Sequence, residues 1–346
     1  MKRETYNEKD SGTVYVWALV LPLVVSLIIS FAISGSPKDE TTGQYLVMKE
    51  VWFTCVLQIV SALLLSGLYF FYTKKSGISY NACQIAKKPN ILMVLVCIVI
   101  GISMCFLTDK FITMIAIGLD HIGVNINSSI NIPLSSFGYY LLAILLIAIL
   151  PAITEELVYR GMILNGLRKL GKWPAILLSS LAFCLMHGNI AQFPYTFLLG
   201  IVLGYIMFET SNLLLCIIIH FFNNATVLTQ MYITQNSTIP GTLTTGYILE
   251  AIGLLVLAVG IIVLAFYLIH LIKKKTETKK EEIIEEPQEE KKTKKGTSLF
   301  AKNEKFTKPE KEIETPEIAK EKPISNLVML IVGYFIAIAI TIIGLL

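Results

Sequence analysis

The chain has 346 residues, 54% of them hydrophobic, and 29 Lys and Arg against 25 Asp and Glu give a net charge of +4. With a mean hydropathy of +0.67, it is too apolar for an ordinary soluble domain, and several runs reach the ~20 residues that cross a bilayer as a helix. The charge is also segregated, 15 Lys and 13 Glu falling between Lys273 and Ile324. No glycine-rich phosphate loop or basic-aromatic surface is present, so nucleic acid is excluded as a partner.

The expected fold is all-α, a polytopic bundle of about eight or nine transmembrane helices. Apolar runs place spans near 14–34, 51–73, 91–108, 137–167, 174–188, 193–208, 213–232, 248–272 and 326–346, with 111–119 as a half-span. The first run is longer than the ~7–15-residue core of a signal peptide and reads as a helix that stays. The fourth exceeds a straight crossing, and Pro151 is expected to kink it. Residues 1–136 thus form an N-terminal group of helices, 137–232 a central core, and 233–272 a loop with the eighth helix. Residues 273–325, with four prolines and mixed Lys and Glu, cannot bury a core and read as a disordered or loosely helical cytoplasmic linker before the last helix at 326–346. That linker is either a solvated tether or a docking segment for another protein.

Basic residues set the orientation. They gather at Lys2, Arg3 and Lys9, at Lys74, Lys75, Lys87 and Lys88, at Arg168, Lys169 and Lys172, and at Lys273, Lys274 and Lys275. The alternate connections hold only Lys38, Lys49 and Lys110. The pattern predicts a cytoplasmic N-terminus in a plasma membrane, taken as bacterial. The six cysteines, Cys55, Cys83, Cys97, Cys105, Cys184 and Cys216, lack paired spacing and read as small buried hydrophobes.

Against this background Glu155, Glu156 and Arg160 stand out. They lie between the apolar runs FGYYLLAILLIAILP and PAILLSSLAFCLM, and ionised groups at membrane depth are costly enough to mark a functional site. On a helix Glu156 and Arg160 are four apart and can pair; Glu155 points about 100° away and is left to act. The hairpin turning at Gly171–Pro174 makes the fourth and fifth spans antiparallel. Glu155 lies ~15 residues before the turn and His187 ~14 after it, so both rise ~20 Å and reach one depth. His220 and Asn224, four apart on the seventh span, share a face and reach the same layer.

The motifs E-E-x-x-x-R, F-x-x-x-H and H-x-x-x-N, carried by Glu155, Glu156, Arg160, Phe183, His187, His220 and Asn224, resemble those of the CPBP family of intramembrane proteases. That family includes the type II CAAX prenyl endopeptidases and the Abi and bacteriocin-immunity proteins. The resemblance covers roughly 137–232. It implies hydrolysis of peptide bonds in membrane-embedded or lipidated substrates, with Glu155 and His187 activating a water. His220 and Asn224 would stabilise the oxyanion, while Glu156 and Arg160 brace the helix. No cofactor is expected under this scheme. One alternative keeps the site but binds zinc through Glu155, His187 and His220, leaving a fourth position for water. A non-catalytic immunity or scaffold protein and an ion or proton transporter are the readings from other classes. Cys184, three residues from His187 on one helix, is a poor nucleophile because nothing electropositive would form its thiolate.

Overall fold

The computed structural model describes residues 2–38, 46, 50–85, 88–120, 134, 136–188, 192–234, 245–285 and 327–343. Among these residues the architecture is all-α. Helices α1 (Glu8–Ile33), α2 (Val51–Lys75) and α3 (Ile91–Asp120) precede the central α4 (Phe137–Leu170). Then come α5 (Lys172–Met186), α6 (Phe193–Thr210), α7 (Leu213–Thr234), α8 (Thr245–Glu285) and α9 (Val328–Ile343). Six of these segments are long and apolar enough to cross a membrane: α1, α2, α4, α6, α7 and Ile252–Lys275 of α8. Shorter apolar stretches occupy Ile91–Leu107, Lys172–Met186 and Val328–Ala339. The protein is a multi-pass membrane protein.

Two expectations change in detail. The half-span at 111–119 is no separate element, because α3 runs unbroken to Asp120. The charged segment begins as a continuation of α8, helical to Glu285; Lys and Glu are good helix formers, and no proline interrupts them before Pro287. The rest of the linker lies outside the described residues.

Local sequence explains where the central helices start and stop. Asn7 and Asp10 form a reciprocal capping box at the start of α1, with both bonds 2.9 Å. Gly171, at φ +97°, makes the turn between α4 and α5 in a conformation that other residues rarely adopt. Between α6 and α7 the chain turns at Ser211, also left-handed, and the Asn212 side chain caps the Leu214 amide at 3.1 Å. Helix α5 has only 15 residues, ~22 Å of rise against a hydrocarbon core of ~30 Å. Its rise therefore falls short of a full crossing.

The α4 helix touches α1, α2, α5, α6 and α7 and is the spine of the bundle. It widens into π-helical turns at Ile144–Ile149, just before Pro151, and again at Leu157–Leu164. Pro151 thus perturbs the helix without breaking it. Wide turns of this kind leave backbone carbonyls to be satisfied from outside the helix, and they recur at functional sites. The Ile163 carbonyl accepts from Ser11 at 2.8 Å, which docks α1 on α4.

One end of the bundle gathers most of the basic segments. Arg3 pairs with Asp10 at 3.1 Å and its backbone joins Gly77 and Ser79 of the α2–α3 connection. Tyr6 is buried there, bonded to Thr73 at 2.8 Å. Asn165 of α4 donates to Ala82, and Arg168 caps the end of α6 through the Met207 and Phe208 carbonyls. Glu209 accepts from Lys172 at 2.6 Å and Lys273 at 3.1 Å, tying α5, α6 and α8 together. The described cysteines are all free, and burial pushes the Cys83 thiol up to about 11, which leaves it protonated and inert at neutral pH.

The α5–α6 crossing is close because Gly200 and Gly204 are four apart on one face. A Cβ at Gly200 would stand 2.9 Å from Ser180 Cβ and 3.0 Å from its Cα. Gly200→Val is therefore expected to lower the melting temperature in detergent markedly. Gly260→Ala, whose Cβ meets nothing within 4 Å, should leave it unchanged or raised. Equal melting of the two variants would show that this crossing does not limit stability.

Candidate active site

Glu156 and Arg160 are both fully buried, with Arg160 Nη1 2.9 Å from Glu156 Oε1. The guanidinium also donates to the Gly200 carbonyl at 3.4 Å and lies 4.3 Å over the Phe183 ring. A delocalised cation suits this place: it is weakly hydrated and its flat face stacks on an aromatic ring. Glu156 Oε1 accepts a second bond, from His220 Nδ1 at 2.8 Å. The ion pair of α4 and the imidazole of α7 thus form one buried network.

Glu155 projects away from that network and is partly exposed. Its Oε2 stands 3.9 Å from His220 Nε2, so the His220 ring lies between the two carboxylates. His187 follows the last residue of α5, half-buried, and its Nδ1 is 2.9 Å from the Phe183 carbonyl. Because a carbonyl only accepts, Nδ1 carries the hydrogen and Nε2 keeps its lone pair. Glu155 and His187 lie within electrostatic reach of each other. Phe183 separates the two imidazoles, meeting the His187 ring edge-on at 5.0 Å and the His220 ring at 5.8 Å.

Asn224 donates from Nδ2 to the Ile147 carbonyl at 3.1 Å. Residue 151, whose amide would ordinarily satisfy Ile147 from four residues on, is a proline without an N–H. The asparagine supplies the missing donor, and the proline in turn fixes where the asparagine points. Asn223, fully buried, donates to Asn224 Oδ1 at 3.0 Å and to the Tyr195 hydroxyl. Neither Asn223 nor Tyr195 was among the residues that spacing singled out. The Asn-Asn pair and the proline were visible signals for Asn223; Tyr195 has none, because its place depends on how α6 docks.

The structure therefore brings Glu155, Glu156, Arg160, His187, His220 and Asn224 into one layer, from α4, the end of α5, and α7. His220 is tied to Glu156 rather than matched with Asn224 as a free donor pair. Cys184 turns its thiol to the Leu181 carbonyl at 3.3 Å. Among the described residues no group of three His, Cys, Asp or Glu side chains is gathered to hold a metal ion.

Residues 137–226 match the family model described as Type II CAAX prenyl endopeptidase Rce1-like. This segment, about a quarter of the chain, is thus similar to the CAAX-type intramembrane endopeptidases. No curated protein and no solved structure matches the chain.

Removing one partner of a buried ion pair strands the other charge, at a typical cost of about 3–5 kcal/mol. Arg160→Ala is expected to unfold the protein at distinctly lower denaturant, whereas Glu155→Gln should shift the midpoint little. Equilibrium unfolding in mixed micelles measures both, and an Arg160→Ala variant as stable as wild type would rule out the bracing role.

Proposed function

We propose that the protein hydrolyses peptide bonds of membrane-embedded or lipidated substrates with a water activated by Glu155 and His187, without a metal. The observation that supports this reading is the layer itself. One partly exposed carboxylate stands beside two imidazoles whose other nitrogens are already held in place. Glu155 takes a proton from the water as its oxygen attacks the scissile carbonyl carbon, and His187 Nε2 accepts the water's second hydrogen as a hydrogen bond. The tetrahedral oxyanion is met by the second N–H of Asn224. His220 can join it only as imidazolium, since its Nδ1 hydrogen is spent on Glu156. The proton held by Glu155 then passes to the leaving nitrogen and the C–N bond breaks. The second water hydrogen leaves the new carboxylic acid through His187 Nε2 for the amine, so that a carboxylate and an ammonium result. Glu156 and Arg160 keep α4 and the His220 ring in register.

The distribution of Lys and Arg supports a cytoplasmic N-terminus, in a plasma membrane taken as bacterial, which puts the end of the bundle holding the hairpin and the Lys172–Glu209–Lys273 contact in the cytoplasm. Residues 273–325 would serve as a tether or docking segment there.

Glu155→Ala and His187→Ala are expected to abolish cleavage while leaving the protein inserted in the membrane. Comparing the membrane proteome of a deletion strain complemented with wild type or Glu155→Ala would show substrates that accumulate uncut. Identical proteomes would favour a non-catalytic immunity or scaffold role. Exhaustive chelation should leave cleavage by purified protein unchanged; loss of activity restored by zinc would assign Glu155, His187 and His220 to a metal instead.

A further inference from the structure

The polar side chains beside the site form a hydrogen-bond chain whose direction is set at one end. The Ile147 carbonyl can only accept, and Asn224 Nδ2 is its donor. Asn224 is thereby turned with Oδ1 toward Asn223, whose Nδ2 donates to it and also to the Tyr195 oxygen. Both hydrogens of that nitrogen are now used, and Asn223 Oδ1 is left buried without a partner. Reversing the chain would set Asn224 Oδ1 against the Ile147 carbonyl, two acceptors at bonding distance. Tyr195 is therefore held as an acceptor toward Asn223, and its own hydrogen points elsewhere.

Tyr195 sits in the first turn of α6, which begins six residues after His187, at Phe193. It lies within electrostatic reach of Glu155 on α4 and of Cys105 on α3. A hydroxyl that accepts a hydrogen bond becomes a stronger donor. The other donors in this layer are partly committed: Asn224 has one N–H left beyond Ile147, and His220 has its Nδ1 on Glu156.

We propose that Tyr195 is a further catalytic residue, its O–H donating a hydrogen bond to the oxyanion that develops on the scissile carbonyl. This rests on the water-activation reading given above. Tyr195 donates in its ordinary, neutral form. In this arrangement Asn223 Oδ1 stays buried without a partner, a cost that accompanies the orientation of Asn223 toward Tyr195.

The test uses purified full-length protein in liposomes and a quenched fluorescent, farnesylated peptide with a CAAX-type tail. Tyr195→Phe is expected to lower kcat about 10²–10³-fold, the usual effect of removing one oxyanion donor, with KM within about twofold and the protein folded but melting somewhat lower, because Asn223 loses its acceptor. A phosphinate analogue of the same peptide, which presents a tetrahedral oxyanion, should lose affinity for this variant by a similar factor. Turnover within about threefold of wild type for Tyr195→Phe, with Glu155→Gln inactive, would overturn the role of Tyr195 and leave water activation in place. Equal turnover by wild type and Glu155→Gln would overturn both.

Discussion

The bundle depends on a charge that has nowhere else to go. Arg160 is fully buried at a depth where an unpaired guanidinium would not be tolerated, so it must find its counter-ion, a carbonyl and an aromatic face inside the protein. It does so at Glu156, Gly200 and Phe183. Each partner lies on a different helix, and satisfying the cation therefore fixes α4 against α5 and α6. The lack of a side chain at Gly200 serves this same end, since a bulkier residue would hold its carbonyl out of reach of the guanidinium. Glu156 then has an oxygen with capacity to spare, and His220 uses it. The ion pair thus sets the position of a site residue on α7 as well.

Backbone irregularity in α4 plays a comparable part on the other side of the site. A regular helix satisfies its own carbonyls and offers nothing to neighbours. Pro151 and the π-helical turns beside it leave the Ile147 carbonyl for Asn224, just as the second wide stretch leaves Ile163 for Ser11. Helix α4 is therefore bonded to α7 and α1 through its main chain. These contacts orient polar side chains without placing further ionised groups in the apolar layer.

Much of this was legible in the residue string. Runs such as FGYYLLAILLIAILP announce spanning helices because only a helix satisfies its backbone in lipid. Spacing of four links Glu156 to Arg160, and equal distances from the Gly171 turn bring Glu155 and His187 to one depth. What spacing does not carry is which nitrogen of an imidazole faces which partner. His220 looks outward toward Asn224 when only its own helix is considered; the stronger acceptor, Glu156, comes from a neighbouring helix. Tyr195 was invisible for the same reason. The continuation of α8 to Glu285 moves the boundary drawn at 272: hydropathy ends the span where hydrophobicity falls, but Lys and Glu still favour helix.

The bond from His187 to the Phe183 carbonyl has a further meaning. That carbonyl belongs to the last turn of α5, where the helix leaves acceptors without amide donors, and the imidazole is its cap. Position 187 thus has two jobs for one ring: one nitrogen closes a helix end, and the other is the one that the proposed mechanism uses. Glu155 closes no helix end, so the chemistry proposed for it can be deleted more cleanly. At 187 a truncated side chain also uncaps the helix end, although the protein stays inserted, and a replacement that still reaches the carbonyl separates that local change from reactivity.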